Sequence, residues 1–204
     1  MFDFPSVRNI LISAPPFILS LCFHEFAHAF VADRMGDPTA RNAGRLTLNP
    51  LKHLDIVGTL MLLFFQFGWA KPVPINPYNF KRIRLGNVLV SAAGPLSNLL
   101  LAYVALIVFK ANIVPVGAAS EMLNLFIWVN IILAIFNLIP IPPLDGSHLL
   151  EAALPQKALA AYYRIQPYGP AILILLVMTN AFQYVLVPLA SLLLKLLDVL
   201  TPFI

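Results

Sequence analysis

Apolar residues run along this chain in long blocks, with the charged residues gathered at the joints between them. Ile10 to Ala32, Leu85 to Phe109 and Met122 to Ile139 form three such blocks. A helix needs about 20 apolar residues to cross the hydrocarbon core of a bilayer, and these blocks are of that order. Ile56 to Phe65 is equally apolar but much shorter, with Asp55 and Gln66 at its edges and Gly58 inside. That length predicts a re-entrant or interfacial segment rather than a span. From Ala171 onward the chain is again almost wholly apolar, interrupted by Asn180, Gln183 and Pro188. This tail reads either as one span plus an interfacial helix or as two short spans.

Punctuation between the blocks refines the elements. Pro15 and Pro16 fall inside the first block, so its helix either kinks there or begins there. Gly36-Asp37-Pro38 ends it. Arg41 to Leu51 reads as a polar loop with a short strand around Leu46–Leu48. Pro72, Pro74 and Pro77 exclude a helix interior between Lys71 and Arg84 and favour extended backbone. Pro140, Pro142 and Pro143 break the chain again before a short helix near Ser147–Leu154. The predicted fold is an all-α polytopic membrane protein, a single domain over residues 1–204. It would hold about five to six membrane-embedded helices, with a short re-entrant or β-like segment after the first.

Composition supports the same solvent. Of the residues, 60% are hydrophobic and only 11% charged, where a soluble domain carries about a quarter charged. The first block continues into polar helix rather than a small-residue cleavage site, so it reads as a retained helix. Cys22 is the only cysteine and leaves the redox compartment undetermined. The net charge of +4 fits basic cytoplasmic loops. No basic run with interleaved aromatics points to nucleic acid.

The positions of those charges predict topology. Arg34, Arg41, Arg45, Lys52, Lys71, Lys81, Arg82 and Arg84 share one side only if residues 56–65 dip into the membrane and return. The positive-inside rule favours that arrangement and puts Lys157 and Arg164 on the same side. The expectation is a cell-membrane protein with an extracytoplasmic N-terminus, a cytoplasmic 34–84 segment and its chemistry near the cytoplasmic face.

That chemistry starts at His24-Glu25-Phe26-Ala27-His28, an H-E-x-x-H pattern within the first block. Positions i and i+4 share a helix face, so two imidazoles can grip one Zn²⁺ while Glu25 sits beside them. Three ionisable residues in five positions of a hydrophobic span are costly and mark function. A catalytic zinc site needs a third protein ligand and an open position. Asp145 meets the depth of His24 and His28 under the predicted topology, and His148 and Glu151 compete with it. His53 opens the short segment and reads as an interfacial or capping residue. Asn130 and Asn137 share a helix face. Asn137, nearer the aspartate, either bonds a neighbouring helix or donates to a substrate carbonyl. Gly94-Pro95-Leu96-Ser97-Asn98 follows Ser91, Ala92 and Ala93. The small residues favour close helix packing, with Asn98 as an alternative lining residue that contacts substrate.

Taken together, His24-Glu25-x-x-His28, Gly94-Pro95-x-x-Asn98, and Asn137-x-x-Pro140 leading to Leu144-Asp145-Gly146 resemble the site-2 protease family of intramembrane zinc metalloproteases, peptidase family M50. Asn49-Pro50-Leu51-Lys52-His53-Leu54-Asp55 and Gly68-Trp69-Ala70-Lys71-Pro72-Val73-Pro74 look like its small bacterial and archaeal members. The resemblance implies one Zn²⁺ per chain, held by His24, His28 and Asp145. It implies Glu25 as general base and acid, Asn137 as an aid to the transition state, and membrane-anchored proteins as substrates. The expectation is a small form without the PDZ or nucleotide-sensing domain of many relatives. Substrate would be unwound and paired along Val73–Asn76 by β-addition. A zinc transporter or sensor is the competing class, but it would more often show internal repeats, and the chain has none. A peptidase using Glu121 or Glu151 as third ligand, and an inactive scaffold, are weaker readings. The sequence leaves the oligomeric state open.

Overall fold

The computed structural model describes residues 6–65 and 68–201. Helix α1 spans Val7–Met35, α2 Thr39–Asn42, α3 Ile56–Phe65, α4 Ile83–Lys110 and α5 Ala118–Asn137. The remainder is α6 Asp145–Ala153, α7 Gln156–Ile165, α8 Gly169–Met178 and α9 Ala181–Val199. Among the described residues, α1, α4, α5 and α9 are the four helices long and apolar enough to cross a bilayer. The chain is an all-α, multi-pass membrane protein.

Helices α1, α4 and α5 pack against one another, and α9 closes on α5. Small side chains set their spacing. Ala102 and Ala105 of α4, Ile127 and Ile131 of α5, and Ala190 of α9 are buried in one cluster. Close approach through small residues is how membrane helices gain packing that lipid does not supply. Two ion pairs fix the direction of each helix. Arg8, at the start of α1, donates to both carboxylate oxygens of Glu121, at the start of α5, each at 2.8 Å. Lys110, ending α4, lies 2.7 Å from Asp198, near the end of α9. The starts of α1 and α5 and the ends of α4 and α9 therefore share one end of the bundle.

Helix α1 does not begin at its prolines. It starts at Val7 under a Ser6 cap and runs through Pro15 and Pro16. Neighbouring helices let membrane helices tolerate such prolines. At its far end Gly36 takes φ 110°, the left-handed turn that favours glycine. The apolar tail resolves into the ten-residue α8 and the nineteen-residue α9. Asn180 breaks them at φ 53°. This is the one-span-plus-short-helix alternative.

Leu46–Leu48 forms no strand. Its carbonyls are drawn away by side chains instead: Leu48 O accepts from Cys22 Sγ at 3.2 Å and Thr47 O from His53 Nε2 at 2.7 Å. The β-like feature lies further on, as a single antiparallel bridge between Leu54 and Ala70. Lys71 N donates to His53 O at 2.8 Å beside it. Leu54 and Ala70 are thus neighbours, so the excursion containing α3 returns to where it left. Gly58 permits the return, since a Cβ there would lie 2.2 Å from Trp69 O.

Candidate metal centre and cleft

One turn of α1 separates His24 from His28, and their Nε2 atoms lie 3.0 Å apart. Asp145, first residue of α6, brings Oδ2 to 3.2 Å from one and 3.3 Å from the other. Four-coordinate zinc with bonds of about 2.0–2.1 Å needs donor atoms about 3.3 Å apart, so this triangle has the right size.

The hydrogen bonds behind the triangle fix what those atoms can offer. His28 Nδ1 lies 2.7 Å from Val90 O, which can only accept, so Nδ1 carries the proton. His24 Nδ1 lies 2.6 Å from Asn98 Oδ1. The Asn98 amide is oriented by its own nitrogen, which donates to Ser20 O at 3.2 Å and to Asn130 Oδ1 at 2.7 Å. His24 Nδ1 therefore donates as well. Both imidazoles turn an Nε2 lone pair inward, towards an Asp145 Oδ2 that is buried with no hydrogen-bond donor. Three acceptors facing one another without a shared proton are the donor set of a cation site. Among the described residues, this is the group of His, Cys, Asp or Glu placed to hold a metal ion.

Gly94 of α4 completes the cradle. A Cβ there would lie 2.5 Å from His24 Cε1 and from His28 Nε2. The pattern Ser91 to Gly94 predicted close packing, and the partner it packs on is the pair of imidazoles themselves. Behind His24, Asn98, Asn130 and Ser20 form a fully buried network. Asn130 Nδ2 donates to Ser20 Oγ at 2.8 Å, and Ser20 Oγ donates to Pro16 O at 2.7 Å. Asn98 thus sits behind His24 with no exposed surface, away from the substrate contact expected of it.

Glu25 points to the other side. Its Oε2 accepts from Val73 N at 2.9 Å. Val73 belongs to the segment between the Leu54–Ala70 bridge and the turn Pro77–Asn79. Pro72 and Pro74 have no amide hydrogen. Arg45 holds the segment's start, donating to Lys71 O at 2.6 Å. Asp37 holds its end: this fully buried carboxylate accepts from Asn76 N and Asn79 Nδ2, each at 2.7 Å, and from Thr39. Burial opposes the charge on Asp37, but the bonds from Thr39, Asn79 and Asn76 hold its carboxyl below the usual carboxylate range. Sequence reading took Asp37 only as part of a helix stop. Asn76 contributes its amide to Asp37, and its side chain caps the turn by accepting from Tyr78 N at 3.2 Å.

A cavity of about 420 Å³ opens between this segment and helices α4 and α6. Asn137 stands at the end of α5 and donates to Leu133 O, one turn back, at 3.0 Å. His53 is buried in the loop it braces, apart from the metal cluster. His148 is exposed on α6, 3.7 Å from Glu151.

A membrane bundle that brings two imidazoles and a carboxylate together has the donor set of a membrane-embedded metal-binding protein. Residues 109–178 match the model of peptidase family M50. YwhC of Bacillus subtilis is 42% identical over 182 residues, 85% of this chain and 83% of its own length. Rip2 of Mycolicibacterium smegmatis is 32% identical over 172 residues, 81% of this chain and 66% of its own. MJ0611 of Methanocaldococcus jannaschii is 31% identical over 157 residues, 74% of this chain and 76% of its own. All three bear names that describe zinc metalloproteases. No solved structure matches the chain significantly. The chain belongs to peptidase family M50. It is a zinc metalloprotease of the site-2 type, with zinc as its cofactor.

Proposed function

We propose that this protein cuts membrane-anchored proteins within or beside the bilayer, as a single catalytic domain. His24, His28 and Asp145 would hold one zinc ion, and Glu25 would be the general base and acid. The observation that carries this reading is the triangle of three inward acceptors, with Glu25, the residue after His24, held by the Val73 amide. Bound there, zinc supplies Lewis-acid polarisation of the scissile carbonyl and lowers the pKa of its water to about 7.

The chain's own groups do the rest. A substrate helix must unwind first, because its carbonyls are already bonded within the helix. Between the prolines, the Ile75 amide has no partner among the described residues and faces no competing internal bond. With Val73 O it offers a short edge for strand addition. Glu25, held against the Val73 amide, takes the proton of the attacking water and returns it to the leaving amine. Asn137 Nδ2 carries two hydrogens and spends one on Leu133 O, so the other is available to the substrate carbonyl.

Charge supports the orientation. Arg8, Lys110 and Lys195 belong to the end shared by the α1 start and the α4 and α9 ends. Arg34 lies in the last turn of α1 and Arg84 in the first turn of α4, and the other basic residues lie between those two helices or on α7. The positive-inside rule makes that second, richer end cytoplasmic and puts both ends of the described chain outside.

The test is zinc content of the purified chain together with cleavage of a membrane-anchored reporter. Wild type should carry about one zinc and cleave. Asp145→Ala should lose zinc, and Glu25→Gln should keep zinc and lose cleavage. Cleavage by zinc-loaded Glu25→Gln would sink the proposal, as would full zinc retention by Asp145→Ala.

A further inference from the structure

The cavity beside the Val73–Ile75 segment runs along α4 and α6. Its walls include Asn87 of α4 and His148 and Glu151 of α6. The same three residues line a second cavity of about 560 Å³ that continues outward to Arg84 and Tyr163. Sharing these walls, the two adjoin as one groove along α4 and α6, from Val73 and Ile75 at one end to Tyr163 at the other. Among the described residues, Glu151 is the only carboxylate that lines either stretch. It is half-buried, accepts from Tyr163 Oη at 2.7 Å, and lies 3.7 Å from His148 Nδ1. The one guanidinium of the groove, Arg84, is committed elsewhere: it donates through Nε at 2.9 Å to Ala152 O, near the end of α6. Glu151 therefore faces the groove with a neutral phenol and a histidine as neighbours and no permanent cation paired to it.

We propose that Glu151 is a specificity subsite that takes a lysine or arginine side chain of the unwound substrate. The inference rests on the protease reading and adds to it which substrates are preferred. Substrate segments at the cytoplasmic end of a span are rich in Lys and Arg, which is the charge this carboxylate complements. Its reach sets the position. Glu151 is six residues along α6 from Asp145, about 9 Å at the helical rise. An extended substrate advances about 3.3 Å per residue, so the basic side chain falls about three residues from the scissile bond.

The experiment uses zinc-loaded full-length protein in proteoliposomes and a reporter with one Lys, Ala or Glu moved through the positions flanking the cut. The order Lys over Ala over Glu is expected near the third position on one side only, by about five- to tenfold in kcat/KM and carried mainly by KM. Glu151→Lys should invert the order and Glu151→Gln should flatten it. Binding of the uncut reporter to Glu25→Gln gives the same ranking without turnover. A purely structural role for Glu151, bracing Tyr163, would lower activity on all reporters equally. Equal cleavage across the series, with Glu25 still required, overturns the subsite and leaves the protease standing. Failure to cleave any member overturns both.

Discussion

Gly94→Ala adds a single methyl group to α4, and the geometry says that it disables the metal centre. The new Cβ would sit 2.5 Å from His28 Nε2 and 2.6 Å from His24 Nε2, where ordinary contact begins at 3.4 Å. Something must yield by about 0.9 Å. If the imidazoles move, they do so by several times the roughly 0.2 Å within which a zinc ligand must be placed. If α4 moves instead, it carries Asn98 away from His24. That stretches a 2.6 Å bond to about 3.5 Å, beyond the useful hydrogen-bond range. Each relaxation removes either a ligand's position or the partner that fixes its tautomer. Loss of an outer partner alone costs about 10–100-fold in metal affinity, and a displaced ligand costs more. We expect zinc affinity to fall by at least about 100-fold. The assay is competition with a chelator of known affinity, read by metal analysis of the purified protein. Ser97→Ala is the control on the same helix, because its hydroxyl bonds only Gly94 O at 2.7 Å. Wild-type affinity in Gly94→Ala would refute the geometry from which the site is built.

Other perturbations separate the parts. Asn98→Ala should weaken zinc binding by about 10–100-fold while leaving the three proposed ligands in place, measured by the same competition. Asp37→Ala should keep zinc, lose about 2 kcal/mol of stability and impair cleavage, because Asn76 N and Asn79 lose their acceptor. Asp37 also sets a pH dependence. Its carboxyl is depressed in the fold, so its stabilisation is complete above the unfolded value near 3.9 and fades as pH falls through the lower folded value. Thermal unfolding of wild type against Asp37→Asn should converge below about pH 4 and diverge above it. Stripping zinc with a chelator should abolish cleavage and lower the melting temperature, with both restored by zinc.

Periodicity and length made the bundle legible, because a bilayer sets element lengths that a sequence displays openly. The H-E-x-x-H spacing made the first two proposed ligands legible for the same geometric reason. What stayed hidden is what depends on pairing between distant segments. Leu46–Leu48 reads as a strand by residue type, but its carbonyls are taken by Cys22 and His53. Pro15-Pro16 reads as either a kink or a start, and neighbouring helices sustain the helix through it. Asn98 reads as polar, but only contact with His24, Ser20 and Asn130 says which way it faces. Ser20 shares a face with His24 by spacing, yet nothing in sequence signals that it anchors an asparagine on α5.

The two functional halves of Glu25's surroundings come from opposite kinds of backbone. On the α1 side, regular helix holds His24 and His28 one turn apart, and the buried amides behind them set their tautomers. On the cleft side, prolines alternate with Val73 and Ile75, so that within 72–75 only those two residues carry an amide hydrogen. One of these amides holds Glu25 and the other is unpartnered. A substrate strand that pairs with Ile75 would therefore lie one residue pair from the proposed general base. Asp37 and Arg45 anchor that segment from its two ends, so its position is set by α1 and its following loop, not by the substrate. Such pre-organisation puts the ordering cost into the fold before substrate arrives. The helix that carries His24 and His28 also carries Glu25, the residue that holds the Val73 amide, so one element positions both sides of the cleft.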